Sequence, residues 1–174
     1  MSIQSSIIGA SGEYLVLSHL LRLGFIAGKT PDFTKDYDIV VLNESGEDSA
    51  PVQVKTSTNR NWMMSKKNEK IITNLVYCFV RFEDENKSEI FVMKSDDVSK
   101  FLKMSYKIWL KVPGRNQRPH KDTNMRKLDS DFKKHFQKIE NLSKYLNEKE
   151  LAFIESHKEG WLDRYKFAWE NIKI

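Results

Sequence analysis

The 174 residues carry a formal net charge of +5, with 40% apolar and 30% charged side chains, a balance that excludes a disordered or collagen-like chain. No apolar run approaches the roughly 20 residues of a membrane span, and the opening "MSIQSS" has neither a basic region nor a cleavage site. A chain without membrane contact, resident in the cytoplasm, is expected. The single cysteine, Cys78, makes no internal disulfide and lies in "LVYCFV", where a thiol serves as a small apolar filler. The charge is uneven: residues 1–104 hold 13 Lys/Arg against 14 Asp/Glu, whereas residues 105–138 hold 10 against 3. Such a local excess, interleaved with Pro, Gly, Asn and an aromatic ring, suits an anion-facing surface.

In chain order, Val16, Leu17, Leu20 and Leu21 fall at helical spacing and predict a helix over Ala10 to Leu23, closed by Gly24 in the left-handed region. "FIAGKTPD" reads as a short strand at Phe25-Ile26-Ala27 followed by a loop. "DYDIVVL" and "PVQVKTS" form two strands of a hairpin around "NESGEDSA". Residues 57–72 read as a polar loop holding one helical turn. "NLVYCFVRFE" is a strand buried on both faces, "DENK" a turn, and "EIFVMK" the next strand. "SDDVSKFLK" reads as a helix capped by Ser95, and "SYKIWL" as a strand opening a long basic loop to residue 127. Leu128, Phe132, Phe136, Ile139, Leu142 and Leu146 then recur at three and four residues, predicting an amphipathic helix. Asn147 with Glu150 forms a capping box for another helix, and Trp161, Tyr165, Trp169 and Ile172 stripe a last one. The order defines an α/β fold with a mixed sheet, in two parts: a core over residues 1–127 and a C-terminal helical extension over 128–174 packed on it.

The hairpin carries chemistry. Side chains alternate faces along a strand, so Gln53 and Lys55 share one face while Val52 and Val54 share the other. Positions 38 and 53 are symmetric about Ser45-Gly46, so an unbulged hairpin sets Asp38 directly across from Gln53. A carboxylate, an amide oxygen and an ammonium then meet at one sheet edge. A hard divalent cation such as Mg²⁺ takes oxygen ligands, and Asp38, Gln53 and the backbone carbonyl of Val54 suit it. Lys55 would then orient a water or neutralise charge on a phosphate. The rival reading is a surface ion pair between Asp38 and Lys55, contributing about 0–1 kcal/mol. Glu13 lies on the apolar stripe of the first helix, where a carboxylate needs a partner; the positive end of the helix dipole is the alternative reason for it.

Two weaker patterns carry nothing. "GKT" at Gly28-Lys29-Thr30 lacks the earlier glycine of a phosphate-binding loop, since Leu23 stands there and Pro31 blocks the following helix. The four histidines, His19, His120, His135 and His157, show no zinc spacing with Cys78.

"GEYLVLSHLLRLGF", "DYDIVVL" and "VQVKTST", in this order, resemble the PD-(D/E)XK nuclease superfamily, whose motif is a helix-borne Glu, a strand-opening Asp and an (E/Q)-x-K strand. The resemblance covers about residues 8–94 and is closest to small Holliday-junction-resolvase-like and uncharacterised endonuclease-like members. It implies a restriction-endonuclease-like core and Glu13, Asp38, Gln53 and Lys55 as active-site positions. Asp38, Gln53 and the Val54 carbonyl would hold Mg²⁺, with Mn²⁺ as its substitute, and Glu13 would complete the shell or position Lys55. No proline precedes Asp38, and Gln53 stands where Glu is more frequent, which implies weaker metal affinity that depends on the substrate phosphate.

The expected function is thus a metal-dependent DNA endonuclease, with RNA a second candidate substrate and a homodimer a further option. Arg60, Trp62, Lys66 and Lys67 after the motif, and Arg115, Arg118, Lys121 and Arg126 in the basic loop, would grip phosphates. A catalytically inactive nuclease-fold binding module is the second reading, and the third is an interaction subunit docking through an exposed Trp161/Trp169 patch.

Overall fold

A computed structural model describes residues 3–31, 34, 36–84, 87–114 and 118–174. Helix α1 (Ile3–Arg22) is followed by strands β1 (Ile26–Lys29), β2 (Ile39–Leu42), β3 (Ser49–Ser57), β4 (Asn61–Ser65), β5 (Val76–Phe82) and β6 (Ser88–Lys94). Helix α2 (Ser95–Lys111), strand β7 (Met125–Asp129) and helix α3 (Glu148–Ser156) complete the regular elements, with short 3-10 turns between them. Five strands form one mixed sheet in the order β1-β2-β3-β5-β6, in which the β3–β5 pair is parallel and the other pairs are antiparallel. No helix among the described residues is long and apolar enough to cross a membrane.

The sheet is covered on both faces, so each strand sorts its residues by parity. Ala50, Val52 and Val54 of β3 join Val76, Cys78 and Val80 of β5 against Val16 and Leu20 of α1. Tyr77 and Phe79 point the other way, into a second core with Phe91, Met93, Trp62 and the apolar side of α2. Burial pushes the Cys78 thiol well up, so it remains the inert filler its surroundings predict. Helix α1 ends in the expected glycine stop: Gly24 sits at φ 87°, and the Phe25 N–H returns to the Leu20 carbonyl at 3.0 Å.

Five sequence expectations change, as long-range partners override local patterns. "SYKIWL" is not a strand but the second half of α2, whose Val98, Phe101, Leu102, Ser105 and Ile108 form one buried stripe. Ser95 does not cap that helix; its hydroxyl accepts the Ile72 N–H at 3.0 Å. Residues 57–72 hold the expected helical turn, at Lys66–Glu69, but not a continuous loop, because Asn61–Ser65 pair with Met125–Asp129 as a two-stranded antiparallel ladder. That same pairing replaces the helix expected from Leu128. Beyond β7 the chain runs through 3-10 turns at Phe132–Phe136 and Leu142–Lys144, and the last helix is replaced by turns at Asp163–Tyr165 and Trp169–Asn171. The capping box of α3 is present, with the Asn147 side chain accepting from the Glu150 N–H at 3.0 Å.

The C-terminal turns close the sheet edge. The Phe167 N–H donates to the Ile90 carbonyl and the Asn171 amide to that of Val92, so β6 is not left open to pair with another chain. Trp161 stacks on Phe101 with centroids 4.8 Å apart and donates to the Asp129 carbonyl, while Trp169 stacks on His19. The two indoles are therefore packed against the fold, which corrects the reading of an exposed tryptophan docking patch.

Asp129, at the end of β7, anchors this region. Burial works against its ionised form, but the His135 ring, the Asp131 N–H and Lys127 outweigh that and hold the carboxyl down at about 2. A carboxylate depressed in the fold stabilises above its unfolded pKa and loses that contribution as pH falls through its folded one. Asp129→Asn should therefore cost about 2 kcal/mol at neutral pH, with the cost shrinking as pH falls below about 4 and vanishing only below about pH 2, read from urea denaturation across that range. A pH-independent difference would show that the carboxylate charge contributes nothing.

Candidate active site

Asp38 stands one residue before β2, and the β2–β3 ladder begins at Ile39 opposite Val52. Within the ladder the register is the one that symmetry about Ser45-Gly46 predicts, and Asp38 itself steps out of it. Its N–H donates to the Val52 carbonyl at 2.9 Å, and its carboxylate Oδ2 accepts the Val54 N–H at 2.7 Å. That second bond fixes the carboxylate across β3, beside Lys55. Asp36 serves the backbone instead, turning the chain into β2 at φ 75°, and its carboxylate pairs with Lys67 at 2.6 Å.

Glu13 arrives from the other face of the sheet. It lies three residues before Val16 on the stripe of α1 that packs on the strands, and α1 can approach β3 closely because residue 12 is glycine. A Cβ at Gly12 would stand 1.9 Å from the Thr56 hydroxyl oxygen. The Glu13 carboxylate pairs with Lys29 Nζ at 2.8 Å, with about a quarter of each side chain exposed. Lys29 also lies over the Tyr14 ring, its Nζ 4.8 Å from the centroid.

The charges act on one another. Burial raises the Asp38 pKa, and the Glu13 charge adds to this, while the Val54 N–H, Lys55 and Lys29 work against it. Burial likewise lowers the Lys55 pKa, with Lys67 adding to it and Asp38, Asp36 and Glu13 opposing. A carboxylate and an ammonium, each with its charged form penalised by burial, thus act on one another. Gln53 is buried under the turn at Lys66–Glu69, where the Asn68 amide spans Gln53 Oε1 at 3.5 Å and the Tyr77 hydroxyl at 3.2 Å. One lone pair on Gln53 Oε1 is left for another partner.

Several of the expected phosphate-gripping residues are otherwise engaged. Trp62 is in the core, 1% exposed, with its indole N–H on the Val80 carbonyl at 2.8 Å. Arg126, 4% exposed, is ion-paired with Glu69 and lies 3.3 Å over the Tyr106 ring, so it braces the fold and is no surface cation. Arg60, Lys66 and Lys67 are exposed, paired with Glu159, Asp122 and Asp36. Arg118 and Lys121 are exposed, and Arg115 lies outside the described residues. Lys29 and Asn68 were missed by the sequence. Lys29 belongs to the discounted "GKT", and only the β1–β2 register, Lys29 opposite Ile39, places it next to Asp38.

No family model and no curated protein sequence matches the chain. Among solved structures it is similar to Hjc, a Holliday junction resolvase of the archaeal hyperthermophile Archaeoglobus fulgidus, at 15% identity and a TM-score of 0.40, over 83% of this chain and 94% of that one. It is also similar to the bacterial homing endonuclease I-Ssp6803I, at 13% identity and a TM-score of 0.40, over 87% and 92%.

Because Gly12 lets α1 bring Glu13 to the strands, Gly12→Ala should destabilise by about 1–3 kcal/mol in urea denaturation, the usual cost of overpacking. Thr56→Ala removes a buried hydroxyl that has no hydrogen-bond partner and should cost less than that in the same assay. In the double variant the losses should be less than additive, and strict additivity would show that the two residues do not meet.

Proposed function

We propose that the chain is a divalent-cation-dependent endonuclease that hydrolyses phosphodiester bonds in DNA. The observation that carries this reading is the Asp38 carboxylate, held by the Val54 N–H on β3 within reach of the Glu13 and Lys55 charges.

The residues present fit a hard cation. No cluster of three or more His, Cys, Asp or Glu suited to a metal occurs among the described residues, which disfavours a closed structural site. Mg²⁺ needs less from the protein, since it keeps waters and is commonly held by one or two carboxylates together with substrate phosphate. Asp38, Gln53 Oε1 and the Val54 carbonyl would hold Mg²⁺ or Mn²⁺, and the raised pKa of Asp38 marks a carboxylate whose charge lacks full compensation. A cation bound there supplies positive charge to the non-bridging oxygens of the scissile phosphate. Lys55 donates hydrogen bonds from Nζ to the attacking water or to a phosphate oxygen, and the Val54 N–H keeps the Asp38 carboxylate from rotating away. Glu13 draws Lys29 toward the same phosphate. Arg118 and Lys121 contact the flanking backbone.

One observation favours the non-catalytic binding module: the Lys29 ammonium already neutralises Glu13, leaving a single anionic ligand. The two readings part on metal uptake and cleavage, measured by calorimetry and by nicking of supercoiled plasmid and four-way junctions. Asp38→Ala should lose both. Lys55→Ala should keep metal uptake and lose cleavage by about 10²-fold or more. Gln53→Glu and Lys29→Met should each tighten Mn²⁺ binding, the first by adding a charge and the second by releasing Glu13. Cleavage that persists in Asp38→Ala would assign the activity to a contaminant, and DNA binding without metal uptake would establish the binding module.

Phosphate contacts have their own signature. Replacing Arg118 and Lys121 together by Ala should reduce the slope of log K against log salt by roughly 2 on duplex DNA, at about 0.9 for each phosphate no longer neutralised. An unchanged slope would remove these residues from the interface.

A further inference from the structure

We propose that a cavity between α2 and the β4–β7 ladder receives one unstacked nucleobase, so that the substrate is DNA with an unpaired or extrahelical nucleotide. This rests on the nucleic-acid reading above and narrows it. The cavity holds about 340 Å³, at the small end of ligand pockets, which run from about 300 to 1,000 Å³. Four aromatic rings, Tyr106, Trp109, Phe132 and Phe136, and two thioethers, Met63 and Met125 from the two strands, are among the residues that line it.

The two methionines are the telling residues. The ladder pairs Met63 with Lys127 and Ser65 with Met125, so these four share the outward face, while Trp62, Met64 and Leu128 fill the core behind. Met63 is 53% and Met125 60% exposed. Two apolar side chains left in water beside an aromatic cavity make the kind of adaptable contact that thioethers provide to flat rings. Tyr106 and Trp109 are held in place by further stacking: the Arg126 guanidinium covers Tyr106, Tyr106 stacks on Trp109, and His120 lies 3.7 Å from the Trp109 centroid. Rings fixed before the ligand arrives lose little freedom when it binds.

Charge selects a nucleobase over an apolar protein side chain. Lys127 and His135 at the wall are paired with Asp129, but His120, stacked on Trp109, is flanked by the exposed Arg118 and Lys121, and residues 105–138 hold 10 Lys/Arg against 3 Asp/Glu. Aromatic surfaces inside a cationic rim are the general arrangement for unpaired nucleotides. The cavity is also tied to the candidate active site. Met63 and Asn68 belong to one segment and lie five residues apart, at most about 18 Å along the chain, and Asn68 contacts Gln53.

The test is fluorescence anisotropy in EDTA, which separates binding from cleavage, with three otherwise identical labelled duplexes: fully paired, with a one-nucleotide bulge, and with an abasic bulge. The wild type should bind the base-bearing bulge at least about five-fold more tightly than the other two, since stacking distinguishes a base from its absence. Met125→Trp, a change at an exposed position that plugs the mouth, and Trp109→Ala should each erase that preference, while Trp109→Phe should keep it. In methyl-labelled protein, the Met63 and Met125 methyl resonances should shift with the base-bearing bulge and not with the abasic one. Equal, salt-sensitive binding of all three duplexes would overturn the base pocket and leave the DNA reading standing. Binding to none of them would overturn both. Uptake of indole with methyl shifts but no response to DNA would reassign the cavity to a protein side chain.

Discussion

Strand β3 is buried on both faces, and that constraint orders the rest of the molecule. A slip of one residue would exchange Val52 and Val54 for Gln53 and Lys55 against α1, placing an amide and an ammonium in a wholly apolar layer. The parity is therefore fixed, and everything at the sheet end follows from it. Asp38 docks on the edge of β3, its N–H on the Val52 carbonyl and its Oδ2 on the Val54 N–H, and the Lys55 charge acts on it there. Gly12 adds the second dimension by letting α1 press on Thr56, which carries Glu13 and its partner Lys29 to the same place.

The site holds its charges under tension. Neither Asp38 nor Lys55 is as easily ionised as in water, because burial penalises each charged form by more than the neighbours recover. Carboxylates elsewhere in the fold show the opposite outcome. Asp129 and Glu89 are held below their ordinary range by hydrogen bonds and cations that overcome the same burial. Those two carboxylates are held down by their neighbours, whereas burial outweighs the neighbours of Asp38, at the edge of β3.

The sheet end and the aromatic cavity are joined by the segment from Asn61 to Glu69. Its strand pairs with β7 and presents Met63 outward, and its turn covers Gln53 through Asn68, reaches Asp36 through Lys67 and secures Arg126 through Glu69. A single short stretch of chain thus lines the cavity at one end and roofs the candidate site at the other.

The sequence by itself determined the parts that rest on local chemistry. The α1 stripe and its Gly24 stop, the β2–β3 register about Ser45-Gly46, the doubly buried β5, and the Asn147–Glu150 capping box are all legible, because each depends on residues within a few positions or on one short hairpin. The tertiary structure alone decided what depends on distant partners. The three-and-four spacing after Leu128 looks helical, yet its first residues form β7 because β4, far earlier in the chain, offers unpaired backbone and an apolar face around Trp62. Trp62 and Arg126 resemble phosphate-binding residues in a string of letters and prove to be core and brace, since burial cannot be read from residue type. Lys29 entered the site for the same kind of reason: a strand at the edge of the sheet was needed to carry its ammonium to Glu13.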